Sequence, residues 1–421
     1  MLLIIFARLN GGLTMNIREL RNMFPALSRT VYGKQLVYFD NAATAQRSQS
    51  VIDKWTQLTI GANANIHRAV HKLAVDATDE YESTRDAVKE YINAAAREEI
   101  VFTSGTTGSI NLVAFSFGET FVNKGDEIIV SEAEHHSDIV PWQMLCQRKG
   151  AVLRVLHVDE DGHLNLEELK SLLNPKTRIV AVTQISNVLG ILNPVKEIVS
   201  VCHSVGCPVL IDGAQGMVHE GVDVQDVDCD FYAFSGHKLY AATGTGVLYG
   251  KRKWLDQMVP YQGGGEMIST VRFSGTTYAP LPEKFEAGTQ NINAIPTLEP
   301  AIEMLKLMKD KELLNAQEAV SQYLLHALTS NQRIRLYGVP RGTETKIPLF
   351  SFSVEGAHHE DLALILDKMG IAVRSGQMCA EPLMDRFGVT GMLRASLAPY
   401  NTMDEAEYFI KSLDKAIAML V

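Results

Sequence analysis

Short apolar runs recur along the chain, each of strand length and most of them closed by polar residues. Leu36–Phe39, Ile100–Thr103, Glu127–Val130, Val152–Val158, Ile179–Thr183, Val209–Ile211, Phe231–Phe234 and Gly246–Tyr249 are the predicted strands. Between them lie stretches with apolar residues at helical spacing, Asp76–Ile92, Leu166–Leu173 and Val195–Val205. This alternation predicts an α/β fold built on a large, mostly parallel sheet. Ligands in such folds sit beyond the C-terminal ends of the strands, where the closing polar residues fall. From Asn293 the texture changes. A long helical region from Pro296 to about Ser330 predicts a connection. Strand-like Leu349–Val354, helical His359–Met369, strand-like Ile371–Arg374 and a final helix Asp404–Leu420 follow. The expected division is an N-terminal segment with a large domain over residues 15–292, then a connecting helix and small α+β domain over 293–421.

A chain of 421 residues also favours two domains over one core. Its first residues, Met1–Thr14, carry the apolar run Leu2-Leu3-Ile4-Ile5-Phe6. That run is too short to cross a bilayer and lacks the basic start of a signal peptide. The expectation is an upstream start codon or a frayed tail, with a helical start at Met15 and Asn16–Arg21. The net charge of −10 argues against binding nucleic acid. Five cysteines, Cys146, Cys202, Cys207, Cys229 and Cys379, form no disulfide framework and suit a reducing cytoplasm. No CxxC or Cys/His spacing suggests a metal.

The chemistry concentrates at strand ends. Val209–Ile211 closes on Asp212, and Phe231–Phe234 closes on Ser235-Gly236-His237-Lys238. An acid and a lysine so placed suit pyridoxal 5′-phosphate (PLP), which needs a lysine for its Schiff base and an acid against its pyridinium nitrogen. Asp212 is expected to be ionised beside that cation. Ser104-Gly105-Thr106-Thr107-Gly108-Ser109 follows a strand and enters a helix, so its N–H groups and hydroxyls form a candidate phosphate cradle. The plain alternative is an ordinary helix cap. Gly244–Gly250 fits no dinucleotide fingerprint, and no P-loop exists. His135, after the Ile128–Val130 run, suits stacking on a flat cofactor or a simple surface role. His67 and His71 have helical i,i+4 spacing without the acid of a zinc motif. Cys379 lies in a Gly- and Pro-bearing segment, Arg374–Leu383, and is expected in an exposed loop, where nearby arginines favour a nucleophilic thiolate. Arg374 and Arg394 suit a bidentate grip on a substrate carboxylate, or surface salt bridges.

From about Asn16 to its end the chain resembles the group II (SufS/CsdA-like) cysteine desulfurases, which include selenocysteine lyases, in the class V aminotransferase family of fold type I PLP enzymes. The resemblance rests on Tyr38–Ala43, Asn65–Arg68, Glu134–Ser137, Asp212–Gln215, Phe234–Lys238, Glu286–Thr289 and Arg394–Ser396. It implies that Lys238 holds PLP covalently, Asp212 meets the ring nitrogen, Gln215 bonds the phenolic oxygen and His135 stacks on the ring. It implies that Thr107, Ser235 and His237 hold the phosphate, joined by Thr289 from the second subunit of a homodimer. Asn187 and Arg394, with Arg374 nearby, would take the carboxylate of L-cysteine, and Cys379 would accept its sulfur.

The implied reaction yields alanine and a persulfide on Cys379, with Fe–S cluster assembly as the expected destination. The short segment around Cys379 predicts a small acceptor protein, SufE-like or SufU-like. Alternatives are a selenocysteine lyase, a non-catalytic sulfur-relay or scaffold protein, and a plain transaminase. Gly108, Ala241, Ala242 and Met378 depart from the residues usual in the family at those positions.

Overall fold

Runs of Val, Ile, Leu and Phe buried on both faces build the centre of the molecule. The computed structural model describes residues 15–340 and 346–421, so the Met1–Thr14 tail lies outside the described residues. Seven strands form the main sheet: β1 (Ile100–Thr103), β2 (Glu127–Ser131), β3 (Val152–Leu156), β4 (Thr177–Thr183), β5 (Val209–Asp212), β6 (Phe231–Ser235) and β7 (Gly246–Gly250). Their order is β1-β7-β6-β5-β4-β2-β3. Pairings from β6 through β5, β4 and β2 to β3 are parallel, while β7 runs antiparallel to β1 and β6. The reversal follows from the link Gly236–Thr245, which holds no crossover helix such as a parallel return needs.

Alternate positions on the strands feed two apolar layers. Val180, Val182, Ile211, Tyr232 and Phe234 pack with α1 (Gln49–Gly61), α2 (Lys72–Tyr91) and α5 (Val195–His203). Ile179, Ala181, Leu210, Phe231 and Ala233 pack against α3 (Thr106–Phe121) and α4 (Val140–Lys149). The register aligns Thr183 with Asp212, Asp212 with Ala233, and Ser235 with Gly246. The polar strand ends therefore meet along one edge.

The expected single connecting helix is two, α6 (Leu298–Met308) and α7 (Lys311–Ser330). Asp310 breaks it, because its carboxylate caps the N–H groups of Glu312 and Leu313 at 2.9 and 3.4 Å. A hairpin that the sequence pattern does not reveal, β8 (Ile268–Arg272) and β9 (Gly275–Tyr278), projects with Phe273 fully exposed. A second, antiparallel sheet contains β10 (Ile334–Tyr337), β11 (Leu349–Val354), β12 (Arg374–Gly376) and β13 (Met392–Ser396), ordered β10-β11-β13-β12. Its apolar face packs on α7, α8 (His359–Lys368) and α10 (Met403–Leu420). The strand expected over Ile371–Arg374 divides. Ile371–Ala372 pairs with Val37–Tyr38, whereas Arg374 joins β12. A short helix, α9 (Glu381–Phe387), separates β12 from β13.

A buried ion pair ties α2 to β1 and to the segment that ends in Thr289. Arg85 reaches Glu286 twice, at 2.7 and 3.0 Å, and Glu286 also accepts the Phe102 N–H at 2.7 Å. Arg85→Ala would leave Glu286 buried without a cation. Urea unfolding is expected to show a loss of about 3–5 kcal/mol for Arg85→Ala. The half-exposed Arg97, paired with Glu82 and Asp86, should cost under about 1 kcal/mol when truncated. Equal losses at the two positions would contradict this assignment.

Candidate active site

The strand-end residues open onto a cavity of about 220 Å³ between the main sheet and the second sheet. Thr107, His135, Asn187, Asp212, Ser235, His237, Lys238, Arg374, Cys379 and Arg394 all line it. Gln215 lies outside its wall, buried, with one amide N–H donated to Ala42 O at 2.8 Å. Thr289 is elsewhere: it is exposed and lines a separate cavity of about 260 Å³ with Gly108 and Glu286.

One end of the cavity is built for an anion. Thr106 opens α3, and its N–H and hydroxyl both engage Ser235 Oγ, at 2.8 and 2.7 Å. The first N–H to bond back along the chain is that of Ser109, to Gly105 O at 3.0 Å. The N–H groups of Thr107 and Gly108 have no partner among the described residues, so they carry the positive end of the helix dipole. Glycine is needed at Gly246 on β7 for this corner to form. A Cβ there would sit 2.3 Å from Gly105 Cα. Thr107 Oγ1 contacts Ser137 Oγ at 2.7 Å, and His237 Nδ1 contacts Thr44 Oγ1 at 2.7 Å. Burial and the charge of Lys238 push His237 down to about 4, so its ring is neutral near pH 7.

The middle of the cavity holds an acid, an amine and a flat ring. Asp212 is 4% exposed. Its Oδ1 accepts the Ala214 N–H at 2.8 Å, and its other oxygen has no partner among the described residues. Burial raises its carboxyl above the usual range, with the Lys238 charge and the Ala214 bond opposing. The Lys238 charge at hand does not offset burial, so Asp212 calls for a further positive partner. Lys238 is lowered to about 8 by burial, with Arg394 and Arg374 adding to the fall and Asp212 resisting it. Near neutral pH it therefore keeps a useful fraction of nucleophilic free amine. His135 accepts the Ser137 N–H at Nδ1, 3.0 Å away, which leaves its ring proton on Nε2. Burial and the charges of Lys238 and its neighbours lower it to about 3.

The other end holds two guanidinium groups and a thiol. Arg374 on β12 faces Arg394 on β13 directly across the strands. Arg394 is 1% exposed, donates to Asn187 O at 2.7 Å and to Asp40 at 3.2 Å, and keeps an unpartnered Nε. Burial lowers it to about 10, so it remains charged. Asn187 donates its amide to Met378 O at 2.8 Å. Arg374 Nη2 lies 3.7 Å from Cys379 Sγ. Cys379 is half-buried, not exposed as expected, because β12 ends at Gly376 and α9 begins at Glu381. Cys146 and Cys202 are buried in α4 and α5, and Cys207 and Cys229 are buried just ahead of strands.

PLP fits these residues: an anion cradle for its phosphate, a buried acid with a free oxygen for its ring nitrogen, and an amine with a lowered pKa between them. A metal does not, since no group of three or more candidate ligands exists among the described residues. His67 and His71 share no helix. His67 sits in a turn at φ 67°, and His71 caps α2.

Three groups escaped the sequence reading. Asp40 pairs with Arg394 from the N-terminal segment. Glu134 and Asp138, which bracket His135, are both fully buried and have no cation partner among the described residues. Glu134 Oε1 accepts from Ser131 Oγ at 2.5 Å and from Thr183 N at 2.9 Å, and Asp138 Oδ1 accepts from Trp142 at 2.8 Å. Glu134 Oε2 and Asp138 Oδ2 are left unsatisfied, and one proton between them satisfies both. Their i,i+4 spacing around a histidine was the available signal. Among the positions that depart from the family pattern, the Ala242 N–H donates to Thr297 Oγ1 at 3.1 Å.

A family model described as aminotransferase class V matches residues 37–409. The chain is 45% identical to a cysteine desulfurase of Pectobacterium carotovorum subsp. carotovorum strain PC1, over 96% of this chain and 98% of that protein. It is 44% identical to a cysteine desulfurase of Shigella sonnei strain Ss046, over 97% of this chain and all of that protein. Among solved structures, the cysteine desulfurase CsdA from Escherichia coli superposes with a TM-score of 0.87 at 38% identity, covering 97% of this chain and 100% of that one. An apo cysteine desulfurase from Thermococcus onnurineus NA1 superposes at 0.90 with 34% identity, over 97% and 100%.

The Glu134–Asp138 pair has a pH signature. Burial raises Glu134 to about 8, well above its value in an unfolded chain. The folded state therefore keeps a proton that the unfolded state has released. The resulting stability is full below about pH 4.5 and is lost as pH rises toward 8, with a slope of up to about 1.4 kcal/mol per pH unit. Glu134→Gln should remove that slope from the variant's own profile, so that the wild-type-minus-variant difference in unfolding free energy falls with rising pH across that window. A difference that does not change with pH would contradict the shared proton.

Proposed function

The chain belongs to the class V aminotransferase family and is a PLP-dependent cysteine desulfurase, and we propose that Lys238, Asp212, Arg394 and Cys379 carry its reaction. Bound in this cavity, PLP supplies an electron sink for bond breaking at the substrate's Cα and Cβ. Lys238 would hold the cofactor, and as a free amine it would move the substrate's Cα proton. Asp212 would hold a proton on the ring nitrogen, and His135 would stack on the ring. Gln215 serves the phenolic oxygen; Thr107, Ser235 and His237 serve the phosphate with the free N–H groups of α3. Arg394 and Arg374, with Asn187, orient the substrate carboxylate. Cys379 Sγ then attacks the substrate sulfur as a thiolate. The new S–S bond forms while Cβ–Sγ breaks, its electron pair stays with Cβ, and Cβ takes a proton to give alanine. The observation that carries this reading is the convergence of Lys238, Asp212, the arginine pair and Cys379 on one cavity.

The finer parts of the proposal concern assembly and destination. The exposed position of Thr289, away from the Lys238 cavity, supports a homodimer in which it serves the second subunit's phosphate site. The half-buried position of Cys379 supports transfer to a small SufE-like or SufU-like acceptor, with Fe–S cluster assembly in the cytoplasm as the destination. Among the described residues no helix is long and apolar enough to cross a membrane. The domain division at residues 292 and 293 belongs to the same proposal.

Lys238→Ala should lower turnover by at least about 10³-fold, measured as alanine released from L-cysteine. Arg394→Lys, which cannot offer two parallel N–H donors, should raise KM by about 10- to 100-fold with a smaller change in kcat. Near-wild-type kinetics in either variant would overturn the corresponding role. Cys379→Ala should stop desulfuration while cofactor absorbance survives, and retained turnover of selenocysteine at the wild-type rate would favour the lyase reading.

A further inference from the structure

His136 is unused by the chemistry above, yet it holds the Cys379 loop from two sides. Its backbone N–H donates to Cys379 O at 2.7 Å. Its ring Nε2 accepts the N–H of Glu381, the first residue of α9, at 2.9 Å. Accepting at Nε2 requires the ring's proton to sit on Nδ1. Backbone and ring of His136 together thus span the turn Gln377–Ala380, one bonding Cys379 within it and the other Glu381 just after it.

The turn needs such holding. Met378 and Cys379 lie at φ 55° and 56°, a left-handed region that side-chain-bearing residues rarely adopt, here twice in succession. Strain of this kind persists only where the surroundings impose it. The surroundings are few and specific: Met378 is buried, Asn187 donates to Met378 O at 2.8 Å, and Arg374 approaches Cys379 Sγ at 3.7 Å. A released turn would relax toward ordinary backbone angles and carry the thiol away from the cavity.

We propose that His136 is a positioning residue that latches the strained Cys379 turn, so that the thiol faces the substrate when the latch is closed and an acceptor when it opens. The inference rests on the reading of Cys379 as the sulfur acceptor. It adds a cause for the thiol's position and a route for its release.

The test uses the PLP-loaded enzyme and two variant pairs. His136→Ala removes the ring acceptor, while His136→Gln places an amide oxygen where it can accept the Glu381 N–H. Glu381→Pro removes that N–H at a first-turn position where proline is tolerated, while Glu381→Ala keeps it. The readouts are iodoacetamide alkylation of Cys379 followed by mass spectrometry, the single-turnover rate of alanine formation, and KM for L-cysteine.

Loss of one hydrogen bond should raise alkylation by about fivefold and slow alanine formation by about five- to tenfold in His136→Ala and Glu381→Pro, with KM within about twofold. His136→Gln and Glu381→Ala should stay within about threefold of wild type. If His136→Ala does not fold, the Glu381 pair decides alone. Alkylation and turnover unchanged in His136→Ala, a Gln variant as impaired as Ala, or Glu381→Pro indistinguishable from Glu381→Ala would each overturn the latch. A wild-type persulfide on a cysteine other than Cys379 would instead overturn the sulfur-acceptor reading, while the alkylation ratios would still decide the latch.

Discussion

A carboxylate buried at the end of a sheet demands a cation, and Asp212 makes that demand at the centre of this molecule. Its one committed oxygen is held by the Ala214 N–H, and the other faces a cavity that also contains Lys238. Burial raises the acid and lowers the amine, and each opposes the shift in the other. Parallel pairing of β5 with β6 puts the two strand ends side by side, so Asp212 and the turn that carries Lys238 open onto the same cavity. PLP bound in this cavity would answer both needs, offering Asp212 a cation and the free amine of Lys238 a carbonyl.

The second sheet supplies what the first lacks. Arg374 and Arg394 stand directly opposite across β12 and β13, an arrangement that destabilises a strand pair unless anions intervene. Asp40 alone answers Arg394, and it arrives on the N-terminal segment that bridges to Ser396. Arg394 Nε stays buried and unpartnered among the described residues, so Asp40 leaves the guanidinium incompletely satisfied, and both arginines line the cavity. In the proposed reaction a substrate carboxylate at this arginine pair would bring its Cβ and sulfur toward Cys379, so that binding and sulfur transfer would both use the seam between the two sheets.

Much of this was legible because each local signal agreed with the global fold. Strands with hydrophobic interiors and polar ends announced the sheet, and the acid and lysine at two of those ends announced the cofactor. What stayed hidden depended on contacts distant in sequence. The hairpin Ile268–Tyr278 faces solvent on both sides, so no burial alternation marks it. The break at Asp310 rests on a single cap inside a continuous helical pattern. Of Met392–Ser396 only Arg394–Ser396 was visible, as a motif and not as a strand, because the strand's partners lie in β11 and β12. His136, Glu134 and Asp138 look like bystanders to His135 until the Cys379 turn, Thr183 and Trp142 are brought against them.

The central claim is that one cavity both desulfurates L-cysteine and retains its sulfur on Cys379. A single turnover of PLP-loaded enzyme with one equivalent of L-cysteine and no reductant tests it most directly, with alanine quantified and the persulfide mapped by mass spectrometry of alkylated peptides. The account predicts alanine and a Cys379 persulfide in equal amounts. Alanine without that persulfide, or a persulfide on Cys146, Cys202, Cys207 or Cys229 in its place, would contradict it.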